Sequence, residues 1–477
     1  MRRPGVLAAG LVGIALAGGP LGSIHPAVAQ QTQPTAQTQT EERKMDDLEQ
    51  RVKILERLRE IEEEKAAEKA KETVTVSAGK DGFTVQSSGG NFILRLRGLL
   101  QFDGSFFQGD EANAATDTFQ VNSARPMVEA TAYKIYEFKI VPDFGQGKTV
   151  LQDVTLDARF HPAAKVRAGK FKTPFGLERL QSETDLMFVS RALTTNLVPN
   201  RDLGIMVYGE ILDGVLAYAG GVFNGVPDGS SGDADINDGK DAAARVFARP
   251  FRKTSLPGLQ GLGIGLGVTH GINRGKPTAT GLASYKTAGQ QTFFSYLADS
   301  SPTALNTVVA DGRRYRLSPQ LYYYVGRFGL MGERVRASQD VQIEVEDPAG
   351  TFTMHEETIR NESWQVSASF FLTRDDASYK PAAPRKNFLP SEGTAGGIEI
   401  TARYGRLSVD RGAFPVYADP AKSAREATEK AAGVNWYLNR IVKVTLDYSR
   451  TSFEGGAASG GDRPDEKVLQ SRFQIAF

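Results

Sequence analysis

Apolar and polar side chains take turns along most of the chain, in segments of about ten residues separated by turns. Phe92, Leu94, Leu96, Leu100 and Phe102 oppose Arg95, Arg97, Gln101 and Asp103. Val154, Leu156, Ala158 and Phe160 oppose Asp153, Thr155, Asp157 and Arg159. Trp364, Val366, Ala368, Phe370 and Leu372 oppose Ser363, Gln365, Ser367 and Ser369, and Val442, Val444, Leu446 and Tyr448 oppose Lys443, Thr445 and Asp447. The chain ends in the same way: Leu469, Ser471, Phe473, Ile475 and Phe477 share one face, and Val468, Gln470, Arg472, Gln474 and Ala476 the other. Period-two alternation predicts strands with unlike surroundings on their two sides. From Asn91 onward the pattern gives about 16 strands, with connections that are alternately short and long. Short ones fall at Tyr133-Lys134, 161–165, Asp213-Gly214, Gly326-Arg327 and Asn439-Arg440. Long ones fall at 104–119, 172–202, 224–241, 272–312, 340–362, 408–429 and 452–466. Two connections break the rule: 373–395 is long and Pro-rich where a short one is due, and 145–148 is short where a long one is due. Gln290 to Tyr296 could add a strand and spoil the even count; it is assigned to a structured long loop.

The N-terminus follows other rules. Arg2 and Arg3 precede an apolar run over 6–21, and Ala27-Val28-Ala29 is a small-x-small cleavage site, so 1–29 reads as a secretory signal peptide. No other stretch approaches the 18 or more apolar residues of a spanning helix. Residues 30–72 form a Gln/Thr-rich linker and then a charged helix, in which Met45, Leu48, Val52 and Leu55 repeat at three- and four-residue spacing. Such a short helix is marginal alone in water. Self-association as a coiled coil, as a trimer, would support it; a solvated single helix is the alternative. Residues 73–90 read as a second linker, and 91–477 as the β domain.

A soluble sandwich also alternates, but its polar faces meet bulk water. The signal peptide, the number of segments and the terminal aromatic favour the membrane. The fold class expected is therefore an all-β transmembrane barrel of about 16 antiparallel strands, preceded by a short N-terminal coiled-coil helix. The chain has 50 Gly and 26 Phe, no Cys and a formal charge of +1, so thiolate catalysis and a bulk field for nucleic acid are both excluded. His161, His270 and His355 lie in unrelated segments with no metal spacing, so neither a catalytic nor a metal site is expected, and no cofactor. In Gly261-Leu262-Gly263-Ile264-Gly265-Leu266-Gly267 the Gly residues alternate with aliphatics, which suits a strand and not a phosphate-cradling loop.

The stretch 172–202 lacks alternation. Thr173-Pro174-Phe175-Gly176 is a turn, and Ser182-Glu183-Thr184-Asp185 fits a capping box ahead of Leu186, Met187, Val189 and Leu193. A loop with its own apolar helical face has the inner wall of a wide barrel as a place to bury it, which would bring Arg179, Arg191 and Arg201 near the axis. An ordinary surface loop is the alternative.

Val166-Arg167-Ala168-Gly169-Lys170-Phe171-Lys172-Thr173-Pro174-Phe175-Gly176, then Arg201-Asp202-Leu203-Gly204, then Gly221-Val222-Phe223-Asn224-Gly225 resemble the phosphate-selective porin O and P family. Gln290 to Tyr296, Arg316 to Tyr324 and Gly396 to Tyr404 extend the resemblance over the whole β domain. The terminal Phe477 also resembles the last residue of bacterial outer-membrane barrels, which the barrel-assembly machinery reads. The resemblance implies a homotrimeric Gram-negative outer-membrane porin embedded in lipid, with the helix in the periplasm and an Arg/Lys-lined path to an anion site formed partly by the third long loop. Lys170 and Lys172 are the basic residues best anchored by the motif.

Facing supplies the rest. Anion selectivity comes from rings or ladders of Arg and Lys, and the planar fork of Arg suits phosphate. The pore-lining candidates are Arg95, Arg97, Arg125, Arg159, Lys170, Lys172, Arg179, Arg191, Arg201, Arg314 and Arg316. Acids such as Asp103, Glu129, Asp153 and Asp447 also face inward, and a structural ion pair is the competing role for any one of these arginines. The expected function is passive diffusion of small inorganic anions, phosphate or polyphosphate above all. The alternatives are a weakly selective general porin and a structural or adhesive barrel tethered through its helix, for which peptidoglycan is a candidate contact.

Overall fold

A computed structural model describes residues 36–72, 74–79, 82–109, 115–233, 235, 237–299, 305–346, 348–380 and 382–477. The signal peptide and the first part of the linker lie outside them. The chain divides into two units, the second beginning at Lys71. The described residues of the first lie on one helix, α1 (Ala36–Glu72), on which Met45, Leu48, Val52 and Leu55 are all exposed.

The main sheet of the second unit is antiparallel and has 18 strands among the described residues. Two belong to a hairpin, Thr75–Gly79 and Gly82–Gln86. The other sixteen form a closed barrel: β1 (Phe92–Phe107), β2 (Thr118–Ala132), β3 (Tyr136–Asp143), β4 (Val150–His161), β5 (Ala164–Lys172), β6 (Arg201–Ile211), β7 (Leu216–Phe223), β8 (Asp241–Ala248), β9 (Leu262–Arg274), β10 (Val309–Val325), β11 (Phe328–Glu346), β12 (Phe352–Phe371), β13 (Gly397–Ser408), β14 (Ala424–Tyr437), β15 (Val442–Gly455) and β16 (Glu466–Ala476). Each strand pairs with the next, and β16 returns to β1 from Val468↔Phe107 to Ala476↔Leu99. The even count read from the alternation holds.

The two faces of the wall are inverted relative to a soluble protein. Leu156 and Phe160 are 56% and 64% exposed, whereas Asp157 between them on the other face is 0% exposed. Phe102, Ile205, Val222, Val246, Val366, Leu446 and Phe473 continue the exposed apolar exterior. Gln101, Asp103, Thr155, Ser363, Gln365, Ser367, Lys443, Asp447, Gln470 and Gln474 are buried on the inner face. A closed sheet satisfies every backbone group without water, which is what a lipid-embedded barrel requires.

Connections follow the predicted rhythm with two differences. At one end the Tyr133-Lys134 turn has φ of 51° and 62°, the left-handed pair of a tight hairpin, closed by Ile135 N–H donating to Ala132 O at 3.2 Å. At the other end, 340–362 is not a long loop: β11 and β12 run on as a hairpin to the pair Glu346↔Phe352. Alternation persists there, and Val341, Ile343 and Ile359 bury against Tyr285, Phe293 and Phe294 from the loop after β9. In that loop, Tyr285–Lys286 and Thr292–Phe294 pair as a two-stranded ribbon, so the ambiguous 290–296 segment stays out of the barrel.

The second difference is the hairpin, where the sequence reads as linker. β16 ends beside Leu99, and below it the edge of β1 pairs with Gly82–Gln86, from Phe83↔Leu96 to Gln86↔Ile93. Phe477 exchanges two backbone hydrogen bonds of 3.0 Å with Gly98. A Cβ on Gly98 would come within 2.9 Å of the Phe477 ring. The same ring meets Phe83 edge-on, centroids 6.2 Å apart. Phe477→Ala should therefore weaken barrel closure by on the order of 1 kcal/mol, the scale of one aromatic pair. The expected result is a lower temperature for the heat-induced mobility shift on gels; an unchanged shift would show that the ring contributes nothing to the seam.

Candidate functional site

Between β5 and β6 the chain leaves the wall for residues 173–200, and most of this segment is buried, including Phe175, Leu177, Leu186, Met187, Phe188, Val189, Leu193 and Leu197. Its partners are side chains on the polar face of the strands opposite. Glu333 on β11 accepts the N–H of Leu177 at 2.7 Å and that of Glu178 at 3.3 Å. Asp447 on β15 accepts the N–H of Val189 at 2.7 Å. Lys443 donates to the carbonyls of Thr184 and Leu186, at 3.1 and 3.0 Å, and Asn435 to that of Met187 at 3.0 Å. The glycine-rich strand β9 admits the segment: a Cβ on Gly267 would lie 3.0 Å from the Phe175 ring.

The helix expected here does not form. Ser182 accepts from Thr184 N–H, but the turn it caps is a single 3-10 turn, Glu183–Asp185, and a second follows at Leu193–Leu197. The backbone donors that a helix would satisfy internally are taken by wall carboxylates instead. Tyr379, in the long connection between β12 and β13, touches the same segment. Its hydroxyl donates to Leu177 O at 2.7 Å, and Gln181 donates back to Tyr379 O at 3.0 Å.

Two spaces of about 1000 and 930 Å³ remain inside the barrel. Arg97, Lys139, Arg159, Lys165, Arg167 and Lys172 line the first, and Lys148, Arg179, Arg191, Lys286 and Arg472 line the second. Arg125, Glu183 and Arg201 line both. The spaces therefore meet at a neck between the 173–200 segment and the wall of β2 and β6.

The sequence-read residues divide by their partners. Arg125 is paired with both Asp143 and Glu183 at 2.6 Å. Arg201 pairs with Asp153 at 2.9 Å and Arg159 with Glu137 at 2.5 Å, while Arg97 lies 3.7 Å from Glu129. Arg314 and Arg316 are buried on Asp241, at 2.8 and 3.3 Å, with Asp228 2.6 Å from Arg316, and they line neither space. Lys170 pairs with Asp233 and also lines neither. Arg95 sits where the hairpin joins β1, opposite Thr84, away from both spaces. Lys172, Arg179 and Arg191 form no ion pair among the described residues. They donate to backbone carbonyls: Lys172 to Gln181 O at 2.6 Å, Arg179 to Thr195 O at 2.8 Å, and Arg191 to Gln181 O at 3.1 Å and to Glu178 O.

Crowding of like charge is visible in the segment itself. Burial, and then the neighbouring Arg191, pushes Arg179 down from the ordinary arginine range, and burial lowers Arg191 as well. Burial alone would raise Glu183, but Arg125, Arg201, Arg191 and Lys172 together hold its carboxyl well below the usual carboxylate range. Glu183 entered the sequence reading only as a capping residue. Arg167, 3.0 Å from Asp157, was also missed as a lining residue, although the alternation through Asp157 on the paired strand points to it.

Residues 94–477 match the model of the family described as phosphate-selective porin O and P. The chain belongs to that family. This porin has the fold of solved outer-membrane channels at low sequence identity. The outer membrane channel DcaP of Acinetobacter baumannii is 10% identical over 82% of this chain and 99% of that one, with a TM-score of 0.50. The anion-selective porin from Comamonas acidovorans is 12% identical over 81% and 100%, with a TM-score of 0.49. OmpT of Vibrio cholerae is 12% identical over 81% and 98%, with a TM-score of 0.48. No curated protein matches. Membership of that family points to an outer-membrane channel rather than an enzyme.

The carboxylate anchors are testable separately from the fold. Glu333→Ala and Asp447→Ala each leave a buried N–H without its acceptor, a cost of about 1–3 kcal/mol. In barrels that keep their heat-modifiable band, added protease should cut within 173–200 about tenfold faster than in wild type. Equal cutting rates would mean that the apolar contacts alone hold the segment.

Proposed function

We propose that this porin is a channel for passive diffusion of small anions, with phosphate or polyphosphate preferred, and that residues 173–200 form its constriction. The observation that carries the reading is the trio Lys172, Arg179 and Arg191. These three basic side chains stand beside the neck with no carboxylate at ion-pair distance among the described residues, while most other inward arginines are paired directly with acids. A cation without a direct ion pair in a confined, poorly screened space attracts anions more than an exposed one does. Two of the three are arginines, whose fork suits the oxygens of phosphate. The pervasive pairing of the remaining charges, such as Arg472 with Asp103 at 2.7 Å, favours the second reading, a weakly selective general porin.

The exposed seam of α1 supports a homotrimer, in which three copies of Met45, Leu48, Val52 and Leu55 would cover one another. In that arrangement 30–72 is a periplasmic element separable from the barrel, with peptidoglycan as a candidate contact. Phe477, exposed to the assembly machinery before the seam closes, serves as its signal.

Reversal potentials in a KCl gradient, followed by inorganic phosphate added to chloride current, test the channel reading. Neutralising Lys172, Arg179 and Arg191 to Gln should lower the anion/cation permeability ratio and weaken phosphate block. Arg314→Gln with Arg316→Gln should change the ratio less, because neither side chain lines either space, and exposed Arg385→Gln is the control. Equal shifts in all three would mean that a diffuse field sets selectivity, and the general-porin reading would replace this one.

A further inference from the structure

We infer that Glu183 is a latch carboxylate, an internal competitor that occupies Arg125 between transits and that a passing oxyanion displaces. The inference takes the anion-channel reading only for the identity of the displacing ion.

Among the described residues, the two spaces in the barrel share Arg125, Arg201 and Glu183 and nothing else. The Arg125–Glu183 ion pair of 2.6 Å runs from the wall to the 173–200 segment, so it spans the neck. Both carboxylates on Arg125 are equally close, but they are held differently. Asp143 also accepts the N–H groups of Ala124 and Gly145, each at 3.0 Å, and the Gln152 amide at 3.3 Å. Its side chain is 7% exposed. The Glu183 carboxylate has Arg125 as its one hydrogen-bonding partner among the described residues, and it is 20% exposed. Asp143 is therefore the fixed mate and Glu183 the exchangeable one.

The backbone under Glu183 is anchored without its carboxylate. Lys443 and Gln474 donate to Thr184 O at 3.1 and 3.2 Å, and Ser182 caps the turn. The side chain can leave Arg125 while the segment stays in place. It would not leave for an uncharged void, because Arg201, Arg191 and Lys172 also act on it electrostatically. An oxyanion offers Arg125 the same paired oxygens that Glu183 does; chloride does not. Exchange at Arg125 would thus open the neck to oxyanions while keeping the guanidinium charge matched throughout.

The test uses single channels of the full protein in planar bilayers, with wild type, Glu183→Gln, Glu183→Asp and, as an exposed-charge control, Asp376→Asn. Glu183→Gln removes the competitor. Chloride conductance should rise, and inorganic phosphate should half-block at a roughly fivefold lower concentration. Glu183→Asp keeps the charge but is one methylene too short to reach Arg125 from the same backbone. Its conductance should rise as well, with the anion/cation ratio near wild type. Wild-type conductance in both variants would overturn the latch. So would a conductance rise confined to Glu183→Gln, since that pattern belongs to a diffuse charge. If one variant lacks the heat-modifiable band, the other decides on conductance. If wild type passes anions and cations equally, the anion reading fails, but a conductance rise in both variants still upholds a latch. Selectivity without any change in conductance keeps the anion reading and removes the latch.

Discussion

Lipid offers no hydrogen bonds, so a sheet that crosses it must satisfy every backbone N–H and C=O within itself. The ring of pairings that brings β16 back to β1 meets that demand, and the rest of the molecule follows from it. Closure fixes one face toward lipid and one toward the interior, and period-two alternation then makes the interior polar by default. A polar interior crowded with Arg, Lys, Asp and Glu must be close to neutral locally, because unpaired charges in a partly dehydrated space are costly. Most arginines accordingly sit on acids: Arg201 on Asp153, Arg472 on Asp103, Arg403 on Glu429. The buried arginines of the 173–200 segment, which have no direct ion pair, are therefore the informative ones.

The 173–200 segment shows how irregular backbone survives at that depth. It has almost no regular structure of its own, so its donors must find acceptors elsewhere. Glu333 and Asp447 supply them from the wall, and Glu178 supplies one from within the segment by accepting Ala192 N–H at 2.9 Å. Two of these carboxylates have a second task. Glu178 lies 3.7 Å from Arg403, and Glu333 also accepts from Ser318 at 2.9 Å. Glu178 thus shapes the passage and also stands against one of its cations.

Strand number, facing and the even count were legible because two-residue periodicity is a local property, repeated in every segment. The seat of the segment was legible only as a need: Leu186, Met187, Val189 and Leu193 had to bury somewhere, but the capping box at Ser182 suggested a helix because the wall carboxylates that compete for its N–H groups are distant in sequence. Partnering of charges was not legible at all. Arg314 and Arg316 look as free in sequence as Arg179, and only the fold brings Asp241 and Asp228 to them. Arg95 and Arg97 share one face, but β16 ends between their level and the neck, which leaves Arg95 to the hairpin. The hairpin itself was hidden by its length, since Thr75–Gly79 and Gly82–Gln86 are each too short for alternation to rise above a Ser/Gly background.

That hairpin joins the two ends of the β domain. Phe83 belongs to the earliest part of the domain to be synthesised and Phe477 is the last residue of the chain, yet their rings are in contact across Gly98. The two rings can meet only when β16 has come back to β1 and the hairpin has added to the edge that β16 leaves uncovered. A wall with all its other pairings in place would still leave this joint open. The contact therefore registers closure itself, the meeting of the first and last edges of the sheet.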